Sequence, residues 1–104
     1  MNWTFICRVD EVPADDVLPV SVEGHELAVC GFESMYFVFI DRCSHEDVAL
    51  SNGFLEGCEI ECPKHGSRFD IRTGRCLNAP ADTDIATYPT KIEDGALYAQ
   101  LGAS

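Results

Sequence analysis

Apolar and polar residues alternate along this chain in short runs closed by turn-forming residues, and they almost nowhere recur at helical spacing. Residues 17–22 and 25–30 are two such runs, and the Glu23-Gly24 link between them suits a tight hairpin. Residues 35–40, Met-Tyr-Phe-Val-Phe-Ile, form the strongest strand pattern, aromatic and β-branched. The stretch 54–61 alternates around Leu55 and Ile60, residues 67–71 form another short run, and Thr73-Gly74 reads as a turn. Residues 86–92 and 96–101 flank Asp94-Gly95, a second hairpin signal. At most one helical turn is expected, at Asp10-Glu11-Val12-Pro13 after Val9. Many short strands with regular turns predict an all-β sandwich or barrel.

The middle of the chain breaks this rhythm. Residues 41–74 hold two Cys/His clusters and several glycines, and five of the seven basic residues fall between Arg42 and Arg75. This reads as a site inserted, over about 41–74, into one β domain of residues 1–104; that length suits one domain and not two.

Composition narrows the function. The chain is 46% hydrophobic, too apolar for a disordered segment, and carries a formal net charge of −11. An acidic surface repels phosphate backbones and anionic lipid, so neither nucleic acid nor membrane is an expected partner. A protein with a basic patch is. Six cysteines raise the possibility of a disulfide framework. However, no basic residue precedes the apolar start Asn2-Trp3-Thr4-Phe5-Ile6, so no secretory leader is expected. In a reducing cytoplasm, cysteines are core residues, ligands or catalysts.

Cys43-Ser44-His45 and Cys62-Pro63-Lys64-His65 each place a sulfur and an imidazole within a few residues, with 46–61 between them. Two such pairs make a mixed sulfur and nitrogen site, which suits zinc or the iron of an iron–sulfur cluster. Zinc fingers of mixed type put both cysteines first and both histidines after, an order this chain lacks. Cys7, Cys30, Cys58 and Cys76 have no histidine at ligand spacing and read as buried thiols. Cys58 and Cys76 could pair with each other, which a reducing compartment disfavours. His25, beside a hairpin turn, reads as a solvent-facing strand residue, and Trp3, Phe5 and the aromatics of 36–39 as core.

The order Cys-His then Cys-His, followed by Gly66-Ser67-Arg68-Phe69-Asp70 and Thr73-Gly74, resembles the Rieske motif. In that motif two cysteines hold one iron of a 2Fe–2S cluster and two histidines hold the other. The resemblance spans nearly the whole chain and implies one Rieske [2Fe-2S] cluster on Cys43, His45, Cys62 and His65. It also implies an antiparallel β sandwich or barrel with a small cluster-binding subdomain. Ala79-Pro80 resembles the family's proline loop, which covers the cluster's third side. With neutral imidazoles, two ferric ions, two sulfides and two thiolates sum to zero charge, so an electron is easier to add than with four thiolates.

Within the family, high-potential respiratory members cross-link the two loops with an extra cysteine pair; Val48 and Lys64 stand at those positions here. Those members also carry a Ser–Tyr hydroxyl pair, of which Ser67 is kept while Phe69 replaces the tyrosine. Both departures imply the lower part of the Rieske range, nearer roughly −150 mV than +300 mV.

An oxygenase is excluded by arithmetic. A mononuclear iron triad takes two histidines, and the chain has three, of which the cluster would use two. No Gly-rich dinucleotide or flavin motif is present either. The chain is therefore expected to be no enzyme. It resembles the Rieske-type ferredoxins of bacterial aromatic-ring dioxygenase systems, cytoplasmic carriers that take one electron from an NAD(P)H-dependent flavin reductase to a terminal oxygenase. The alternatives are a small Rieske subunit of a nitrite-reductase-type assimilatory enzyme and a zinc-held binding module. Glu46 and Asp47 on one loop, with Lys64 and Arg68 on the other, would form a mixed-charge docking rim around His45 and His65.

Overall fold

The computed structural model describes residues 2–44, 47–64 and 66–103. Among them are ten strands: β1 (Thr4–Arg8), β2 (Leu18–Val22), β3 (His25–Phe32), β4 (Met35–Ile40), β5 (Phe54–Glu56), β6 (Glu59–Glu61), β7 (Arg68–Asp70), β8 (Thr87–Tyr88), β9 (Thr90–Glu93) and β10 (Ala96–Ala99). Helix among the described residues is confined to single 3-10 turns over Val9–Glu11, Leu50–Asn52 and Leu101–Ala103, of which the first alone lies near the expected turn. Three antiparallel sheets result, ordered β1-β10-β9, β2-β3-β4-β8 and β5-β6-β7.

The four-stranded sheet lies between two cores. Along β3, Leu27 and Val29 enter one core while Ala28 and Cys30 enter the other, and all four are buried. Along β4, Val38 joins the first core and Phe39 the second. A strand covered on both faces loses its polar positions, which is why residues 27–30 and 37–40 read as continuous apolar runs. The first core is closed by Ile6, Leu97 and Ala99 of the β1-β10-β9 sheet. The second is closed by Leu50, Ile60, Phe69 and Ile71, and it also holds Cys43 and Cys62.

Both expected hairpins form, with Val22 paired to His25 and Glu93 to Ala96. Each link has positive φ at both residues, 51° and 81° at Glu23-Gly24, 51° and 76° at Asp94-Gly95. That conformation matches the right-handed twist of the strands. Glu33-Ser34 makes a third such link without glycine, at 54° and 65°.

Two expected runs are each divided. Residues 54–61 form a hairpin, β5 to β6, about Gly57-Cys58, with Glu56 facing Glu59 and Gly57 at φ 60°. Residues 86–92 break at Pro89, which has no N–H for a ladder. Before it β8 pairs with β4, and after it β9 pairs with β10. The chain thus leaves the four-stranded sheet after Ile40 and returns at Thr87, so residues 75–86 also lie in the connection.

Trp3 and Phe5 are not core residues: they are 37% and 50% exposed. The outer face of the β1-β10-β9 sheet is uncovered there. Phe5 meets Tyr98 edge-on with centroids 6.0 Å apart, and the Lys91 ammonium lies 5.0 Å from the Trp3 ring. His25 is half-buried, edge-on to Tyr88, and not fully solvent-facing.

Candidate metal centre

The two cysteines of the candidate constellation open two loops built alike. The Cys43 N–H donates to the Val48 carbonyl at 3.0 Å, and the Cys62 N–H to the Ser67 carbonyl at 2.7 Å. Each bond closes a six-residue span that begins at its cysteine, and a Gly66 N–H to Cys62 carbonyl bond of 3.2 Å tightens the second. Gly66 takes φ 76°, a left-handed turn that glycine adopts without steric cost. Cys43 and Cys62 are 3% and 1% exposed and pack in one core cluster. No disulfide joins any two of the six cysteines. Two buried sulfurs at the mouths of paired loops suit a soft metal centre, whose cationic charge compensates thiolates removed from water. His45, Glu46 and His65 lie outside the described residues.

Each loop is anchored to the scaffold. At the root of the first, the Asp41 N–H extends the β3–β4 ladder to the Glu26 carbonyl at 2.9 Å. The second leads straight from β6 into β7. A third segment, 76–85, is bonded to both. From the first loop Ser44 Oγ donates to the Thr83 carbonyl at 2.5 Å. On the second loop Ser67 Oγ, buried, accepts the Ala81 N–H at 2.9 Å. Asn78 Oδ1 accepts the Arg68 N–H at 2.6 Å, and Asn78 Nδ2 donates to the Gly66 carbonyl at 3.2 Å. The segment is itself held by Cys76, whose N–H donates to Asp84 Oδ1 at 2.8 Å and whose thiol donates to the Ala81 carbonyl at 3.0 Å. Ala79-Pro80, a cis peptide, sits at its exposed turn.

Residues 2–89 match the model of the Rieske [2Fe-2S] domain. The chain belongs to that family. It is 48% identical over 92 residues, 88% of each chain, to the ferredoxin component of the naphthalene 1,2-dioxygenase system of Pseudomonas aeruginosa. Among solved structures, a ferredoxin of Sphingomonas yanoikuyae B1 superposes with a TM-score of 0.88 at 37% identity, over 92% of this chain and 95% of that one. A chain in the complex of reduced oxygenase and oxidized ferredoxin of carbazole 1,9a-dioxygenase reaches 0.86 at 28%, over 93% and 91%. This Rieske chain carries one Rieske-type 2Fe–2S cluster and is, like these ferredoxins, an electron carrier and not an enzyme.

The charged rim differs from expectation. Arg68 does not stand open beside the second loop. Its guanidinium lies over the outer face of β5-β6-β7, bonded to Glu56, Glu59 and Glu61 at 3.3, 3.3 and 2.9 Å. Asp47 is exposed and pairs with Arg42 at 3.2 Å. Cys58 and Cys76 are half-buried, less covered than Cys7 and Cys30. The anchors Asp41, Ser44, Asn78 and Asp84 carry no motif; the available signal is only that Asp, Asn and Ser in loops bond to nearby backbone.

Proposed function

We propose that Cys43, His45, Cys62 and His65 hold the cluster, and that the chain carries single electrons from a flavin-dependent NAD(P)H reductase to the terminal oxygenase of an aromatic-ring dioxygenase system. The observation that carries this reading is the pair of matching loops, each opened by a buried cysteine with its histidine two or three residues on. When bound, the cluster supplies a one-electron couple. The chain's own part is to fix two sulfurs in a dry core and keep water from them. A histidine that ligates through one ring nitrogen keeps the other for an N–H through which a partner can couple. Ser67 accepts from Ala81, which leaves its own proton for a further acceptor.

The partner assignment rests on relatives named as ferredoxin components of dioxygenase systems, one of them seen with its oxygenase. No helix among the described residues is long and apolar enough to cross a membrane, which accords with a cytoplasmic carrier. Docking falls to the two ligand loops, where Glu46 and Asp47 follow His45 in sequence.

The test is reconstitution. The purified chain should contain iron and acid-labile sulfide in equal amounts, bleach reversibly with dithionite, and give the EPR spectrum of mixed Cys/His ligation. Added to a naphthalene-dioxygenase oxygenase and its reductase, it should restore turnover, and reversing Glu46 and Asp47 together should slow it at low salt. Zinc in place of iron would sink the ligand assignment. Full spectroscopy without any turnover would sink the partner assignment.

A further inference from the structure

We propose that Asn78 is a positioning residue of the second ligand loop, acting through Ser67; this rests on the cluster reading above. Its side-chain amide spans the two residues on either side of Ser67, accepting from the Arg68 N–H at 2.6 Å and donating to the Gly66 carbonyl at 3.2 Å. The amide's orientation is dictated by its partners, since a backbone N–H only donates and a carbonyl only accepts. The next residue back adds a main-chain bond, Leu77 N–H to the Arg68 carbonyl at 2.8 Å. Arg68 therefore has both its backbone groups held by residues 77 and 78, one of them by a side chain.

Ser67 is then gripped from three directions. Its carbonyl accepts from Cys62, its Oγ accepts from Ala81, and its two neighbours are bridged by Asn78. The position from which its Oγ projects depends on backbone torsions that the bridge immobilises. Asn78 is exposed, so it makes these bonds against competition from water. The bridge fixes the backbone that carries the Ser67 hydroxyl, and a hydroxyl donating to the cluster would favour its more negative, reduced form.

The experiment compares the cluster-loaded wild type with Asn78→Ala, Asn78→Asp, Ser67→Ala and the Ser67→Ala/Asn78→Ala double variant. Redox titration should place Asn78→Ala at lower midpoint potential than wild type, in the same direction as Ser67→Ala and by less. In the Ser67→Ala background, Asn78→Ala should add nothing. Hydrogen exchange gives a readout independent of potential. Protection of the Arg68 amide should fall about tenfold in Asn78→Ala, the weight of one hydrogen bond, and survive in Asn78→Asp, which keeps the acceptor. An unchanged potential in a folded Asn78→Ala, full additivity with Ser67→Ala, or unchanged Arg68 protection would each overturn the proposal. A wild type without a dithionite-bleachable cluster would overturn it together with the reading it rests on, and spectroscopy alone shows which has happened.

Discussion

Asp41 holds Ser51 with both carboxylate oxygens, Oδ1 accepting the Ser51 N–H at 2.7 Å and Oδ2 the Ser51 Oγ–H at 2.6 Å. These bonds close the base of the first ligand loop, and Asp41 is 9% exposed. Hydrogen bonds to a charged acceptor are each worth about 1.5–3 kcal/mol. Asp41→Ala should therefore destabilise the protein by about 3 kcal/mol, and Ser51→Ala, which keeps the backbone bond, by about 1.5 kcal/mol. Urea unfolding of the three proteins checks this. Equal stabilities would mean that the loop base is held by something else.

The β scaffold was legible in the sequence because it depends on local pattern, and of the Cys/His constellation the fold brings Cys43 and Cys62 into one core. Alternation marks β2 through β4, Glu23-Gly24 and Asp94-Gly95 mark hairpins, and four ligand-type residues stand at a particular spacing. What escaped depends on contacts distant in sequence. Nothing local says that Pro89 passes the chain from one sheet to another, or that Glu33-Ser34 turns without glycine. Arg68 reads as a rim cation until β5 and β6 bring three glutamates beneath it. Trp3 and Phe5 read as core until the sheet they sit on proves to be covered on one face alone.

Asp70 sets a pH limit on the turn after β7. The Arg72 guanidinium bonds its carboxylate at 3.1 and 3.0 Å, and the Arg72 N–H adds a third bond at 2.8 Å. Chiefly through the side-chain bonds, Asp70 is held below the usual carboxylate range, against an opposing push from partial burial. A depressed carboxylate stabilises fully above its unfolded value, about 3.9, and the benefit is lost as pH falls through the lower folded value. Asp70→Asn should therefore lower Tm at neutral pH, with the gap to wild type closing below about pH 4. A gap of constant size across that range would rule out the ion pair as its source.

The four remaining cysteines should differ sharply in reactivity. Burial pushes the Cys30 thiol up to about 12, and burial with the nearby Glu11 charge pushes Cys7 up to about 11. The thiolate is the nucleophile, so both should resist iodoacetamide at about pH 8 in the folded protein. Cys76 is half-buried and its thiol is engaged as a donor to the Ala81 and Asn78 carbonyls, whereas Cys58 is half-buried in the β5–β6 turn. Mass spectrometry of briefly labelled protein should find Cys58 modified first, then Cys76. Early labelling of Cys30 would show that its core opens.

The midpoint potential tests the hydroxyl pattern around the second loop. Adding an electron makes the cluster more negative, so every hydrogen bond donated to it favours the reduced form and raises the potential. Phe69 is fully buried against Ile60 and offers no hydroxyl, where high-potential members have tyrosine. Ser67 alone supplies one, buried and already committed as acceptor to Ala81, so its proton is the one available for donation. The cross-linking cysteines of those members are replaced by Val48 and Lys64. The potential should accordingly lie below zero, toward roughly −150 mV, and Ser67→Ala should lower it further. Redox titration followed by visible absorption or EPR measures both. A value well above zero would show that donors other than these hydroxyls dominate, and a Ser67→Ala variant at the wild-type potential would show that the serine serves only to tie down Ala81.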